Sequence, residues 1–333
     1  MTAPIQHGGG LSRAIAQYGG TAEDWLDLST GINPCPPPLP DIPASAWHRL
    51  PDADLVHRTE MAAAAFYGTG EHRPLAVPGT QSVIQQLPAF APAGRPVAIL
   101  GPTYGEYHRV LSLSGLPVDL ISDISELRPD HGLAIVVNPN NPTGRLLPRD
   151  TLLDIADRMT AQGGRLVVDE AFGDGVSGNS VAAEAFAHPG LIVFRSFGKV
   201  FGHAGIRLGF VMAVPDVLEA LAAALGPWAV SGPALAVAEQ LLHGDIEGLR
   251  LRIAERKAGL DEVLSKAGLR TIGGTHLFSL IEVADGAALQ HALCERHILT
   301  RSFDYAPGWV RIGLTPDPAS DLRLLDALRK VAA

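Results

Sequence analysis

SFGKVFGHAGIRLGF, Ser196 to Phe210, follows directly on the apolar run Leu191-Ile192-Val193-Phe194. Four consecutive apolar residues bounded by polar and small ones read as a buried strand. Lys199 then sits just past a strand end, among Ser196, Gly202 and Gly205, with Arg207 and a second apolar run, Leu208 to Val214, after it. A lone lysine in such a loop is usually solvated. Two upstream stretches change that reading. Leu166-Val167-Val168 runs into Asp169-Glu170, and Ala134-Ile135-Val136-Val137 breaks into the turn Asn138-Pro139-Asn140-Asn141-Pro142-Thr143-Gly144. Three strands thus bring Asn141, Asp169 and Lys199 to corresponding ends. In open α/β sheets, ligands bind outside the carboxyl ends of strands. Strands and helical patterns alternate along the chain, which predicts an α/β fold with a mostly parallel sheet and helices on both faces.

The order Asn-Pro-x-Asn-Pro-Thr-Gly, then Asp169, then Ser196-x-x-Lys199, then Arg207, resembles the fold-type I pyridoxal-phosphate enzymes of the class I/II aminotransferase superfamily. The resemblance runs nearly end to end. It implies pyridoxal 5'-phosphate as cofactor, an electron sink that the protein must bind and orient. By that resemblance Lys199 carries it as a Schiff base, Asp169 faces the pyridine nitrogen, and Asn141 faces the phenolate oxygen. Ser196 and Arg207 hold the phosphate, for which a guanidinium has matching geometry. Leu75-Ala76-Val77 followed by Pro78-Gly79-Thr80-Gln81 reads as a turn into a helix N-terminus. There Gly79, Thr80 and Gln81 would cradle the same anion, although Thr80 as a plain helix cap explains the pattern equally well. Tyr104, in Pro102-Thr103-Tyr104-Gly105-Glu106-Tyr107, fits the aromatic that stacks on the cofactor ring. Three positions depart from the family pattern: Leu50 and Phe172, where relatives carry Tyr, and Gly198, where Ser is frequent.

Composition agrees with an enzyme and argues against other classes. The 333 residues carry a formal charge of −9, which leaves no basic face for nucleic acid. The two cysteines, Cys35 and Cys294, fit neither a disulfide framework nor a zinc spacing, and no metal site is expected. That usage suits the cytoplasm. The N-terminus lacks the pattern of a secretory signal. The uncharged stretch Ala220 to Ala238 is broken at Gly226-Pro227 and Gly232-Pro233, so it reads as two helices and not as a membrane span.

Three parts are expected. Residues 1–40 form an arm associated with the small domain and the active site, residues 41–245 a large cofactor-binding domain, and residues 246–333 an interdomain helix with a small C-terminal domain. The arm opens on His7-Gly8-Gly9-Gly10 and continues through Trp25-Leu26-Asp27-Leu28-Ser29 to Ile32-Asn33-Pro34. Trp25 and Leu28 read as apolar anchors. Downstream, Ile298 to Phe303 and Trp309 to Leu314 read as strands of the small sheet. Arg311 alternates with Val310 and Ile312, and an Arg so placed needs an anionic partner.

The arm, with Phe303-Asp304-Tyr305-Ala306-Pro307-Gly308-Trp309, resembles the threonine-phosphate decarboxylase group within the superfamily. That resemblance implies decarboxylation of L-threonine O-3-phosphate to (R)-1-aminopropan-2-ol O-phosphate, in cobalamin biosynthesis. It also implies a homodimer and makes His7, Asn33, Arg301 and Arg311 candidate contacts for a small phosphorylated amino acid. A histidinol-phosphate-type aminotransferase is the alternative, because the same residues serve both reactions. A catalytically weak homologue that binds a partner in cobalamin assembly is the second alternative.

Overall fold

The computed structural model describes residues 8–176 and 178–332. The chain divides into two compact units. The first comprises Met1–Pro36, Pro142–Gly144 and Glu247–Ala333, and the second Pro37–Asn141 and Arg145–Ile246.

Strand β1 (Leu26–Asp27) belongs to the first unit. The second unit holds β2 (Leu75–Val77), β3 (Val97–Leu100), β4 (Val118–Ile121), β5 (Leu133–Val137), β6 (Arg165–Asp169), β7 (Leu191–Ser196) and β8 (Gly209–Met212). These seven form one sheet in the order β2-β8-β7-β6-β5-β3-β4. From β4 across to β7 every pairing is parallel, and β8 runs antiparallel to both β7 and β2. The chain steps from β3 to β4 on one side and then returns to place β5 on the other side of β3. The switch point therefore lies between β3 and β5, where such sheets open a crevice at the strands' carboxyl ends.

The central strands are buried along their length: Leu133–Val137 wholly, and Leu191–Ser196 except for its last residue. A parallel sheet covered on both faces requires this run of Val, Ile, Leu and Phe, not an alternating pattern. Ile99, Ile135, Val137, Val167, Ile192 and Phe194 join Leu87, Phe90, Leu111 and Leu221 in one core cluster. Each fully buried side chain of this size contributes about 1.5–3 kcal/mol. The helix Arg149–Ala161 buries Leu152, Ile155, Ala156 and Met159, the spacing of a single helical face. The uncharged stretch folds as two helices, Pro215–Leu225 and Gly232–Leu242, with a turn between them. Among the described residues no helix is long and apolar enough to cross a membrane.

The first unit holds β9 (Arg270–Thr275), β10 (Phe278–Glu282), β11 (Ile298–Leu299), β12 (Arg301–Phe303) and β13 (Ala306–Gly313). Four of these make an antiparallel sheet, β12-β13-β10-β9, while β11 pairs in parallel with β1. The stretch Ile298–Phe303, expected as one strand, is thus cut at Thr300 and its halves serve different sheets. Trp25 and Leu28 are buried as expected. The Trp25 indole stacks on His297 at 5.0 Å, and its Nε1 donates to the Gly19 carbonyl at 3.0 Å.

Candidate active site

A cavity of about 160 Å³ opens at the carboxyl ends of β3, β5, β6 and β7. Thr80, Gln81, Tyr104, Asn141, Asp169, Ser196, Lys199 and Arg207 all line it. These residues span 128 positions (207 − 80 + 1), and the sheet topology alone brings them together. Lys199 stands on a short helical turn, Phe197–Val200, where the sequence suggested a loop. Its Nζ lies 5.4 Å above the centre of the Phe172 ring.

Asp169 ends β6 and is buried. Its Oδ1 accepts from the Ala171 amide at 3.0 Å, and its Oδ2 accepts from the Tyr107 hydroxyl at 2.7 Å. Burial raises this carboxyl above its ordinary range, and the two donors and the nearby Lys199 ammonium oppose that rise. The next residue, Glu170, goes elsewhere: with Asp174 it forms a buried ion-pair cluster on Arg195 of β7. The Arg195 guanidinium also lies 4.7 Å over the Tyr67 ring.

Gly79, Thr80 and Gln81 divide their duties. Gly79, not Thr80, is the N-cap of the short helix Thr80–Ile84, and no side chain caps it. Gly79 sits at φ 73°, and a Cβ there would fall 2.6 Å from Nη2 of Arg207. Only glycine lets the guanidinium come so close. Arg207 itself is held at φ 56°, in the left-handed region, a strain of roughly 1–2 kcal/mol. Gln81 uses its side chain within the wall of the cavity: it accepts from Tyr104 at 3.1 Å and donates to Glu106 at 3.0 Å. Burial pushes the Tyr104 phenol up to about 12, with Glu106 and Asp169 adding to the effect.

Arg207, Ser196 and Thr80 together suit a phosphate, with glycine in place of any obstructing methyl. Asp169 suits a protonated ring nitrogen, and Lys199 an aldehyde carbon. The residues therefore fit pyridoxal phosphate.

The remaining expected residues lie in the first unit. Arg311 of β13 is buried, donates to the Ser29 carbonyl and lies 5.1 Å over the Phe278 ring. Ser29 in turn receives the Gly9 amide on its Oγ at 2.7 Å, which ties the start of the arm to this strand. Arg301 of β12 is the direct cross-strand partner of Arg311. Like charges so placed repel. Burial, and then Arg301, push Arg311 down to about 10. Asn33 is buried and its amide closes its own turn, accepting from the Cys35 amide at 2.8 Å and donating to the Cys35 carbonyl at 3.2 Å. His7 lies outside the described residues.

Two residues had no assigned role in the sequence. Tyr107 and Glu106 stand in the same Pro102–Tyr107 stretch as Tyr104, and their contacts with Asp169 and Gln81 reach far along the chain. The doubled tyrosine was the available signal.

The chain belongs to the aminotransferase class I and II family, whose model matches residues 24–328. It is 60% identical to a threonine-phosphate decarboxylase of Sinorhizobium sp over 331 residues, 99% of each chain. It is 42% identical to a threonine-phosphate decarboxylase of Pseudomonas aeruginosa, over 97% of each. A histidinol-phosphate aminotransferase of Mycolicibacterium smegmatis is more distant, at 33% identity over 86% of this chain and 83% of its own. The fold matches the crystal structure of histidinol-phosphate aminotransferase from Sinorhizobium meliloti in complex with pyridoxal-5'-phosphate. That match has a TM-score of 0.80 and 20% identity over 99% of this chain and 95% of that one.

Proposed function

We propose that this chain is a pyridoxal-phosphate-dependent threonine-phosphate decarboxylase. It would convert L-threonine O-3-phosphate to (R)-1-aminopropan-2-ol O-phosphate and carbon dioxide, as a step of cobalamin biosynthesis. The observation that carries this reading is the 60% identity to a threonine-phosphate decarboxylase over 99% of both chains. The cavity that gathers Lys199, Asp169, Asn141 and Arg207 agrees with it.

When bound, the cofactor supplies an electron sink for the pair released at the substrate's α-carbon. The chain's own residues do the rest. Lys199 would hold the cofactor by its aldehyde carbon, and Arg207, Ser196, Thr80 and the backbone at Gly79 and Gln81 would hold its phosphate. Asp169 would keep a proton on its ring nitrogen, Asn141 would donate to its phenolate oxygen, and Tyr104 would cover its ring. Arg311 and Arg301, cross-strand neighbours, would take the substrate's carboxylate and phosphate. His7 and Asn33 are the arm's proposed substrate contacts. By fixing the substrate's two anions, these residues would orient it and so select which bond at the α-carbon reacts.

The test is incubation with pyridoxal phosphate and L-threonine O-3-phosphate. Carbon dioxide release without added 2-oxoglutarate supports decarboxylation. Glutamate formation, from 2-oxoglutarate and an amino donor such as histidinol phosphate, would replace it with transamination. A protein that stays colourless with added cofactor would point to the weak homologue.

The reading extends to a cytoplasmic homodimer. The free thiols of Cys35 and Cys294 suit a reducing compartment. On the second unit, Trp47, Leu50 and Trp228 are 67%, 63% and 60% exposed. Leu50 and Trp228 line two hollows that share Pro51, the first with Arg49, Asp52, Arg58 and Glu239 on its walls and the second mostly apolar. Large apolar side chains exposed in this way support a subunit interface there. Sedimentation of wild type and Leu50→Glu reads it: a dimer that the substitution dissociates supports the proposal, and a wild-type monomer overturns it.

A further inference from the structure

We infer that Tyr107 is a positioning residue for Asp169, its hydroxyl setting the orientation of the carboxylate that is to hold the cofactor's ring proton. The inference rests on the cofactor reading above.

Tyr107 lies in the first turn of the helix Glu106–Leu113, fully buried, 62 positions from the carboxylate it touches. Its ring belongs to the core cluster of the sheet. Packing alone would be served as well by phenylalanine, and a buried hydroxyl without a partner costs roughly 1–3 kcal/mol. The hydroxyl is retained and meets Asp169 at 2.7 Å. The Ala171 amide takes the other oxygen. One donor on each oxygen, from a core side chain and from the backbone, keeps the carboxylate from turning about its χ2 axis. The donor also favours the ionised carboxylate, because a charge-assisted bond is the stronger one. Tyr107 touches a second wall of the cavity as well: its ring meets that of Tyr104 edge-on, at 6.2 Å and 84°. One side chain thus supports both the carboxylate and the aromatic lid proposed for the cofactor. The groups that act on Asp169 from neighbouring elements are Lys199, Glu170 and Tyr104, and Tyr107→Phe leaves all three in place.

The experiment compares wild type and Tyr107→Phe with two cofactors, pyridoxal phosphate and its 1-deaza analogue, in which carbon replaces the ring nitrogen. Dissociation constants come from fluorescence titration, and turnover from carbon dioxide release. With pyridoxal phosphate, the substitution is expected to weaken cofactor binding and lower kcat by about tenfold or more, with KM for L-threonine O-3-phosphate unchanged. With the deaza analogue, which has no ring proton to hold, wild type and variant should bind within about twofold of each other. Equal losses with both cofactors would overturn the inference, since a packing defect does not sense the ring nitrogen. A second arm guards against a simple folding defect. On an Asp169→Asn background, adding Tyr107→Phe should change the dissociation constant by less than about twofold, and a full further loss again overturns it. Wild-type protein that takes up neither cofactor would show at the outset that the cofactor reading is wrong, and this inference falls with it.

Discussion

At Lys199 the chemistry proposed here rests on one amine, and its removal is the most direct test of the site. Lys199→Ala should lose the long-wavelength absorbance that the protein acquires with pyridoxal phosphate, and lose activity by about a thousandfold or more. Absorbance spectra and carbon dioxide release read the two losses separately. Beside it, Phe172 is buried under the Lys199 Nζ and presents only carbon to the cavity. Phe172→Tyr introduces a hydroxyl at this wall of the cavity. A single new neutral hydrogen bond is worth about 0.5–1.5 kcal/mol, so cofactor affinity should rise about twofold to tenfold by fluorescence titration. Unchanged affinity would mean that Asn141 already satisfies the oxygen that the new hydroxyl was to meet.

The elements that carry these residues are braced from behind. Strand β7 delivers Ser196 and Lys199 on one side of its end, and Arg195 on the other. Arg195 is enclosed by Glu170 from the end of β6, Asp174 and the Tyr67 ring. Glu170 is further fixed by the Ser180 hydroxyl at 2.6 Å and the Val181 amide at 2.8 Å. The carboxylates raise the guanidinium pKa against the opposing effect of burial. Removing one partner of such a cluster leaves two carboxylates buried without their counter-charge, at a cost of about 3–5 kcal/mol. Arg195→Met should therefore lower the unfolding free energy, read from urea denaturation, by that amount. The loss should appear in cofactor-free protein as well, because the cluster faces away from the cavity.

Across the whole molecule, acid stability carries a signature of the first unit. His276, in the turn between β9 and β10, is pushed down to about 4, by burial first and then by Arg250. Its folded value lies below its unfolded value of about 6.5. The unfolded chain then binds the proton more readily than the folded one. The contribution of this residue is complete above pH 6.5 and is lost as pH falls from there toward 4. A His276→Gln variant should show a shallower decline of unfolding free energy between pH 6.5 and 4.5, by an amount on the order of 1 kcal/mol. Equal slopes for variant and wild type would show that the ring is protonated in the folded state.

Sequence periodicity and turn chemistry were enough to read the strands and their parallel pairing, and the family resemblance named the eight cavity-lining residues from Thr80 to Arg207. Buried parallel strands must be continuously apolar, and chemistry collects where they end. The direction of β8 was not legible, because an apolar run of Gly209–Met212 reads the same both ways. Nor was the break at Thr300, since local propensity favours a single strand and only pairing with two separate sheets divides it. The Tyr107–Asp169 bond, the Gly79–Arg207 approach and the Arg301–Arg311 register are contacts between distant stretches. The sequence by itself determined which groups each strand end offers, because that depends on neighbours along the chain. Only the tertiary structure decided which of them meet, because that depends on topology and packing across many residues.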